Sequence, residues 1–79
     1  MSRQRIKDLI GETFGVDPTT VPDDAAAGEY EGWDSLHHLE LMLAVELEFG
    51  VTIPAETMLE LVSLEAIERY LLKEGEPRA

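Results

Sequence analysis

A capped amphipathic segment from Asp34 to Gly50 constrains the fold of this chain more than any other feature of its sequence. The Asp34 carboxylate can accept a hydrogen bond from the exposed backbone N–H group of Leu36 or His37, a pattern that is typical of a helix start. Gly50 follows the apolar run at the point where helices commonly end in a left-handed residue. We therefore predict a helix over residues 34–49.

Apolar spacing predicts three further helices along the chain. The first covers about residues 2–14, where apolar side chains recur at helical spacing on one face. A short helix over residues 55–61 follows Pro54, which a helix start tolerates. The last helix covers residues 64–73, and the hydroxyl of Ser63 can cap its first turn. Between the second and third helices, the β-branched segment Val51-Thr52-Ile53 is expected to be extended.

The segment between the first two helices, residues 16–33, is rich in Pro, Gly and acidic residues. This composition predicts a long loop with one short turn near Asp23–Ala27. Loops of this length are unusual in compact domains and are commonly functional or tethered to the core. The expected tethers to the core are Val16, Val21 and Tyr30. At the other end of the chain, residues 75–79 are expected to fray.

The length of 79 residues, 44% of them hydrophobic, suits one small domain with a single core. We predict that residues 1–79 form one all-α domain. Its architecture is a four-helix bundle with a long loop between the first and second helices and a short third helix.

The second helix has more apolar residues than one buried stripe needs. One line at four-residue spacing can supply the core: Leu41, Val45 and Phe49, with Met42 beside it. A second line is expected to be partly exposed between acids: Leu36, Leu39, Leu43 and Leu47, flanked by Glu40, Glu46 and Glu48. This arrangement predicts a docking surface with an apolar centre and an acidic rim. The alternative is a central helix that buries both lines.

Charge is distributed unevenly along the chain. The net charge is −11, and none of the six Lys and Arg residues lies between Lys7 and Arg69, whereas all but two of the 17 Asp and Glu residues do. Nucleic acid and anionic lipid are therefore poor partners, and a basic protein surface would be steered toward the chain. Charge repulsion also favours a monomer. With no cysteine, no secretory apolar region and no membrane-length apolar run, we expect a cytoplasmic protein without a membrane partner.

Ser35 stands in the first turn of the predicted second helix. In one interpretation it is a polar residue beside the Asp34 cap, with no further role. In the other, its hydroxyl carries a phosphodiester, because unpaired N–H groups and the positive end of the helix dipole stabilise an anion there. The position is exposed and accessible to a modifying enzyme in both interpretations.

Several short motifs together carry a resemblance that covers nearly the whole chain. They are Gly32-Trp33-Asp34-Ser35-Leu36, Leu39-Glu40-Leu41, Val45-Glu46-Leu47-Glu48-Phe49-Gly50, Ile53-Pro54, and Ser63-Leu64-Glu65 with Tyr70-Leu71. At these spacings in an acidic chain, they resemble the acyl carrier protein family. The resemblance is strongest from Trp33 to Leu71 and weakest in the long loop.

The resemblance implies a carrier without catalytic activity of its own. Ser35 matches the serine that receives 4′-phosphopantetheine from coenzyme A through a separate Mg²⁺-dependent phosphopantetheinyl transferase. Asp34 matches the acid that helps the transferase engage, and Leu36 matches an apolar contact to partner enzymes. The thiol of the arm would hold acyl groups as thioesters, in a chain that has no cysteine.

The resemblance also implies partners, namely acyl-loading, condensing and modifying enzymes with basic docking patches. The residues that match the recognition face are Leu36, Leu39, Glu40, Leu43 and Glu46, and Leu47 adds apolar surface to it. His37 and His38 stand where the family usually has acidic or small polar residues, and Trp33 replaces a smaller residue. The Trp-Asp-Ser-Leu form resembles discrete carriers of specialised pathways, such as polyketide, modified-lipid or aminoacyl systems, rather than housekeeping fatty-acid synthesis.

Other interpretations are weaker. Asp34, Ser35 and His38 contain the residue types of a hydrolase triad, but no second element offers an oxyanion hole. A metal site at His37 and His38 is disfavoured because adjacent helical residues point about 100° apart, so we expect both histidines to be solvated. No segment has the pattern of a calcium-binding loop. The remaining alternatives are an unmodified acidic interaction module of the same fold and an aminoacyl or peptidyl carrier.

Overall fold

Four α-helices run through the computed structural model, which describes residues 2–74. They are α1 (Ser2–Phe14), α2 (Ser35–Phe49), α3 (Ala55–Met58) and α4 (Leu64–Glu74), and a 3₁₀ turn at Pro18–Thr20 lies in the loop between α1 and α2. Within residues 2–74 the chain forms no strand, only an isolated bridge between Ala26 and Ser63. The predicted all-α fold with a long first loop and a short third helix is confirmed.

Three of the helices build the core, because α1 packs against both α2 and α4. The largest fully buried side chains are Ile6, Ile10, Leu41, Met42, Val45, Leu64, Ile67 and Leu71. On α2 the predicted inner line is confirmed, since all four of its residues, ending at Phe49, are buried. Each such side chain contributes about 1.5–3 kcal/mol of favourable burial free energy.

Side-chain and glycine caps define the helix ends that the sequence predicts. The Asp34 backbone is extended, with φ −103° and ψ −173°, so α2 begins one residue later than predicted, and the Asp34 carboxylate accepts from the N–H of His37. Gly50 ends α2 in the left-handed region with φ 66°. Ser63 Oγ accepts from the N–H of Ala66 at 3.0 Å and caps α4 as predicted.

The predicted end of the third helix is wrong, because α3 stops at Met58 and not at Leu61. The N–H groups of Glu60 and Leu61 both donate to the carbonyl oxygen of Thr57, at 2.9 and 3.1 Å, so the chain tightens into a turn. Leu61 turns into the core and Leu59 points outward. The apolar residues beyond Met58 therefore anchor a turn instead of continuing a helix.

The loop between α1 and α2 is tied to the rest of the fold by side chains that are wholly or partly buried. Val21 is buried, and Val16 and Tyr30 are partly buried against the core, as predicted. Ala25 and Trp33 are buried as well, which the sequence pattern did not predict. The loop therefore has more anchors than its composition indicates.

Backbone contacts hold the loop against the α3–α4 connection and against α1. The N–H of Leu64 donates to the carbonyl oxygen of Ala25 at 2.9 Å, and the N–H of Ala27 donates to that of Val62 at 2.8 Å. On the α1 side, a Cβ added to Gly11 would lie 2.7 Å from Pro18 Cγ, which is too close for a side chain. These contacts fix the segment that leads into α2.

The cations of α1 are engaged with acids from three other parts of the chain. Arg3 pairs with Asp23 and Glu68, Lys7 pairs with Asp23, and Arg5 pairs with Glu48. The acids lie on the loop, α2 and α4, so these pairs connect α1 to each of its neighbours. Each pair has at least one partly exposed side chain, and ion pairs at the surface contribute about 0–1 kcal/mol each.

The prediction that residues 75–79 fray lies outside the described part of the chain. Helix α4 continues to Glu74, one residue beyond its predicted end. Among the helices of residues 2–74, none has the length and apolar character that crossing a membrane requires.

Candidate functional site

Ser35 is the first residue of α2, and its side chain is exposed. Asp34 precedes it with an extended backbone and turns the chain into the helix. At this end of α2, the first backbone N–H groups have no partner inside the helix and the helix dipole is positive. A negatively charged group on the serine oxygen is therefore favoured here.

The Asp34 carboxylate is held beside Ser35 by His37. Asp34 Oδ1 accepts from the backbone N–H of His37 at 2.9 Å, and it lies 2.8 Å from His37 Nδ1. These hydrogen bonds, first from the backbone and then from the imidazole, lower the pKa of the Asp34 carboxyl. The His37 ring meets the edge of Phe14, with centroids 5.3 Å apart. His37 thus links the start of α2 to the end of α1.

We expect the stabilisation that the Asp34 cap supplies to be lost in acid. Because folding lowers the pKa of this carboxyl, its contribution is complete above the unfolded-state pKa of about 3.9. It is lost as the pH falls through the lower pKa of the folded state. The Tm difference between wild type and Asp34→Ala should be full at about pH 5 and shrink between about pH 4 and pH 2. A Tm difference that does not change over this range would contradict an ionised cap.

His38 is a bridge between the loop and α3. Trp33 Nε1 donates to His38 Nδ1 at 2.9 Å, and His38 Nε2 lies 2.7 Å from the carbonyl oxygen of Met58. The indole N–H can only donate and a carbonyl can only accept, so these two contacts fit the His38 tautomer that carries its proton on Nε2. The two rings stack with 26° between their planes.

The prediction that both histidines are solvated is therefore wrong, because each is half-buried and has hydrogen-bond partners. A buried indole needs an acceptor for its N–H, and Trp33 is 2% exposed. In the sequence, this contact was indicated only by a tryptophan that precedes two histidines in the first turn of the following helix.

The hydrolase alternative has no support in the geometry. The Asp34 carboxylate is hydrogen-bonded to His37 and not to His38. It therefore does not orient the His38 ring, as a catalytic triad would require. Both ring nitrogens of His38 are already engaged, which leaves none to take a proton from Ser35. Within residues 2–74 no three His, Cys, Asp or Glu side chains form a group that could hold a metal ion.

Two open hollows adjoin Ser35. One, of about 420 Å³, lies on the loop side and is lined by Ala27, Gly28, Trp33, Asp34 and Val62. The other, of about 300 Å³, lies between α2 and α3 and is lined by Leu39, Met42, Ala55 and Met58. Ser35, His38 and Leu59 line both hollows. A flexible group attached at Ser35 would thus have two surfaces within reach.

The second apolar line of α2 is exposed, as predicted. The exposed fractions are 62% for Leu36, 51% for Leu39, 48% for Leu43 and 87% for Leu47. Leu59, directly after α3, and Val62, shortly before α4, are also exposed and line the hollows beside Ser35. The sequence pattern did not single out these two residues. The interpretation that α2 buries both of its apolar lines is therefore wrong.

The acids beside this line have different surroundings. Glu40 is exposed, whereas Glu48 pairs with Arg5 of α1. Glu46 is half-buried, and its Oε2 accepts from the N–H of Ile53 at 2.7 Å. Glu40 therefore has the most accessible carboxylate on this part of α2, and Glu46 also holds the segment between α2 and α3.

Comparison with known proteins gives the class to which this fold and site belong. Residues 4–71 match the family described as a phosphopantetheine attachment site. A curated relative, the acyl carrier protein of Bdellovibrio bacteriovorus, is 39% identical over 71 residues, which is 90% of this chain and 91% of the relative. The chain belongs to the acyl carrier protein family.

Membership of this family defines what kind of protein the chain is. It is a non-catalytic carrier, and its cofactor is a covalently attached 4′-phosphopantetheine. The residues present fit such a group, because an exposed hydroxyl stands at a helix N-terminus between two hollows. When attached, the group supplies a thiol, which the chain itself lacks.

Proposed function

We propose that Ser35 carries the 4′-phosphopantetheine arm. The observation that supports this assignment is an exposed serine as the first residue of α2, preceded by a capping aspartate. The positive end of the helix would stabilise the phosphodiester. The resemblance of the surrounding motif points to the same residue.

The attachment itself requires a separate enzyme. A phosphopantetheinyl transferase with Mg²⁺ would join the Ser35 oxygen to the phosphorus that bears the pantetheine of coenzyme A. The bond to the nucleotide half breaks, the 3′,5′-bisphosphorylated nucleoside leaves, and the serine proton is lost. Asp34 is proposed to engage this transferase and Leu36 to contact it, since both are exposed directly beside Ser35.

The loaded protein is proposed to carry acyl groups as thioesters between enzymes of fatty-acid, polyketide or related specialised biosynthesis. Acyl-loading, condensing and modifying enzymes would be its partners. An aminoacyl or peptidyl cargo, and an unmodified interaction module of the same fold, are the alternatives. Location in the cytoplasm and a monomeric state stay predictions from charge and composition.

Intact mass spectrometry tests the proposal directly. The purified protein is incubated with coenzyme A, Mg²⁺ and a broad-specificity phosphopantetheinyl transferase. We expect the mass to rise by one phosphopantetheine group, and peptide fragmentation should place it on Ser35. No increase with several transferases would support the unmodified module, and a group on another residue would overturn the assignment.

The proposed docking surface for these enzymes is the exposed face of α2. Its apolar centre is Leu36, Leu39, Leu43 and Leu47, and its acids are Glu40 and Glu46. Exposed leucines beside carboxylates suit a partner surface that combines apolar contacts with Lys or Arg side chains. Because Glu46 also accepts from Ile53, Glu40 is the better residue for testing charge alone.

We expect Glu40→Lys to slow association with the transferase, and to do so more strongly at low salt. The change reverses an exposed charge on the proposed surface, so it should act mainly on the association rate. Stopped-flow or surface-based kinetics at two salt concentrations measures the effect. The matched control is Glu12→Lys, the same charge reversal at an exposed site on α1. Equal slowing by both variants would mean that net charge, and not this surface, governs association.

A further inference from the structure

The hollow between α2 and α3 is the apolar surface that an acyl group on the arm would meet beside Ser35. Its lining is mostly carbon, with the fully buried Met42 at its inner side and the exposed Leu59 at its rim. Its volume is about 300 Å³, the lower limit of common ligand pockets. A short apolar group would fit this space more readily than a long one.

His38 spans the Ser35 side of this hollow. It belongs to α2, yet its Nε2 donates to the carbonyl oxygen of Met58, the last residue of α3, at 2.7 Å. One hydrogen bond therefore joins the two helices at this point. A movement that widens the hollow by carrying Met58 away from α2 would break that bond.

Trp33 fixes the orientation of the His38 ring. The indole N–H donates to Nδ1, and the buried indole stacks on the imidazole. Rotation of the His38 side chain would leave the indole N–H without its acceptor, which is costly in a buried site. His38 is thus held in the one orientation that reaches α3.

The position of α3 depends on hydrogen bonds to residues outside this helix. The helix has four residues and no side-chain cap at its start. Besides the His38 hydrogen bond at its end, the N–H of Ile53 donates to Glu46 Oε2 and holds the segment just before α3. The His38 bond is the one that lies beside Ser35.

We propose that His38 is a specificity-determining residue that limits the group sheltered between α2 and α3 to a short acyl chain. A long chain would have to separate α3 from α2, so in the wild-type protein it stays outside the hollow. This inference rests on the proposed attachment of the arm at Ser35. It assigns a role to a residue that departs from the usual pattern of the family.

The test compares thioester protection for a short and a long chain. Wild type and His38→Ala are loaded by a transferase from hexanoyl-coenzyme A or hexadecanoyl-coenzyme A, and cleavage by hydroxylamine is followed by intact mass. In wild type, the hexanoyl thioester should be cleaved several-fold more slowly than the hexadecanoyl thioester. In His38→Ala, cleavage of the hexadecanoyl thioester should slow several-fold, because α3 can move. The same chain-length dependence in both proteins would overturn the inference.

Two further variants keep the test decisive. In His38→Gln, the side-chain amide can accept a hydrogen bond from Trp33 and donate one to Met58. Cleavage rates should therefore return toward the wild-type values. Rates equal to those of His38→Ala would overturn a hydrogen-bonding role. If circular dichroism shows that His38→Ala is unfolded, Trp33→Phe removes the indole donor, keeps an aromatic ring at this buried position, and should partly slow cleavage of the long-chain thioester. Rates unchanged from wild type in a folded Trp33→Phe would then overturn the inference. Failure of wild type to load would instead contradict the proposed function.

Discussion

A Ser35→Ala variant is expected to remain at its unmodified mass under conditions in which wild type takes up one phosphopantetheine. Alanine lacks the oxygen that forms the phosphodiester. Loss of modification should therefore be complete rather than partial. Intact mass spectrometry of both proteins after the same incubation measures it.

The variant should keep its fold, which separates loss of the attachment atom from unfolding. Ser35 is exposed, and exposed substitutions of this kind usually change stability by no more than about 0.5 kcal/mol. The matched control is Ser63→Ala, which removes the cap on the N–H of Ala66 and should cost about 0.5–2 kcal/mol. It should still accept the arm. A loaded Ser35→Ala protein, or a folded Ser63→Ala protein that stays unloaded, would contradict the assignment.

The largest effect on stability is expected from Leu41→Ala. Leu41 is completely buried in the core, and removing a buried leucine side chain typically costs about 2–5 kcal/mol. A domain of this length has a total unfolding free energy of about 4–12 kcal/mol, so this one change removes a large part of it. Denaturant unfolding monitored by circular dichroism should show the midpoint moving to much lower denaturant concentration.

The matched control for Leu41→Ala lies on the same helix. Leu43 is 48% exposed, so Leu43→Ala removes the same atoms with far less burial and should cost roughly 1 kcal/mol or less. Both variants replace leucine with alanine within α2, so the change in helix propensity is the same in the two variants. Similar losses in the two variants would mean that the inner and outer lines of α2 are wrongly assigned.

The helices could be predicted because their signals are local. Apolar periodicity and capping residues depend on neighbours within one or two turns, and Asp34, Gly50 and Ser63 act as the sequence indicates. Ser35 could be singled out for the same reason. Spacing also divided the apolar residues of α2 into two lines, but only the packing of the bundle shows that one is buried and the other exposed.

The contacts around the site could not be predicted because they join residues that are distant along the chain. The bond from His38 to Met58 and that from Leu64 to Ala25 depend on how the helices pack. Side-chain chemistry shows that a buried indole needs an acceptor, but it does not choose between adjacent histidines. The end of α3 was misjudged because Leu61 fits both a longer helix and a turn anchored in the core.

The short length of α3 has a consequence for how the molecule opens. Four residues form too few internal hydrogen bonds to offset the entropy of ordering them, so α3 relies on its neighbours, including Glu46 through Ile53. Its detachment would leave the fully buried residues of α1, α2 and α4 in contact. Local opening of this segment therefore requires less free energy than global unfolding. Loss of the hydrogen bonds from His38 and Ile53 would therefore release the segment beside Ser35 first and leave the three-helix core in place.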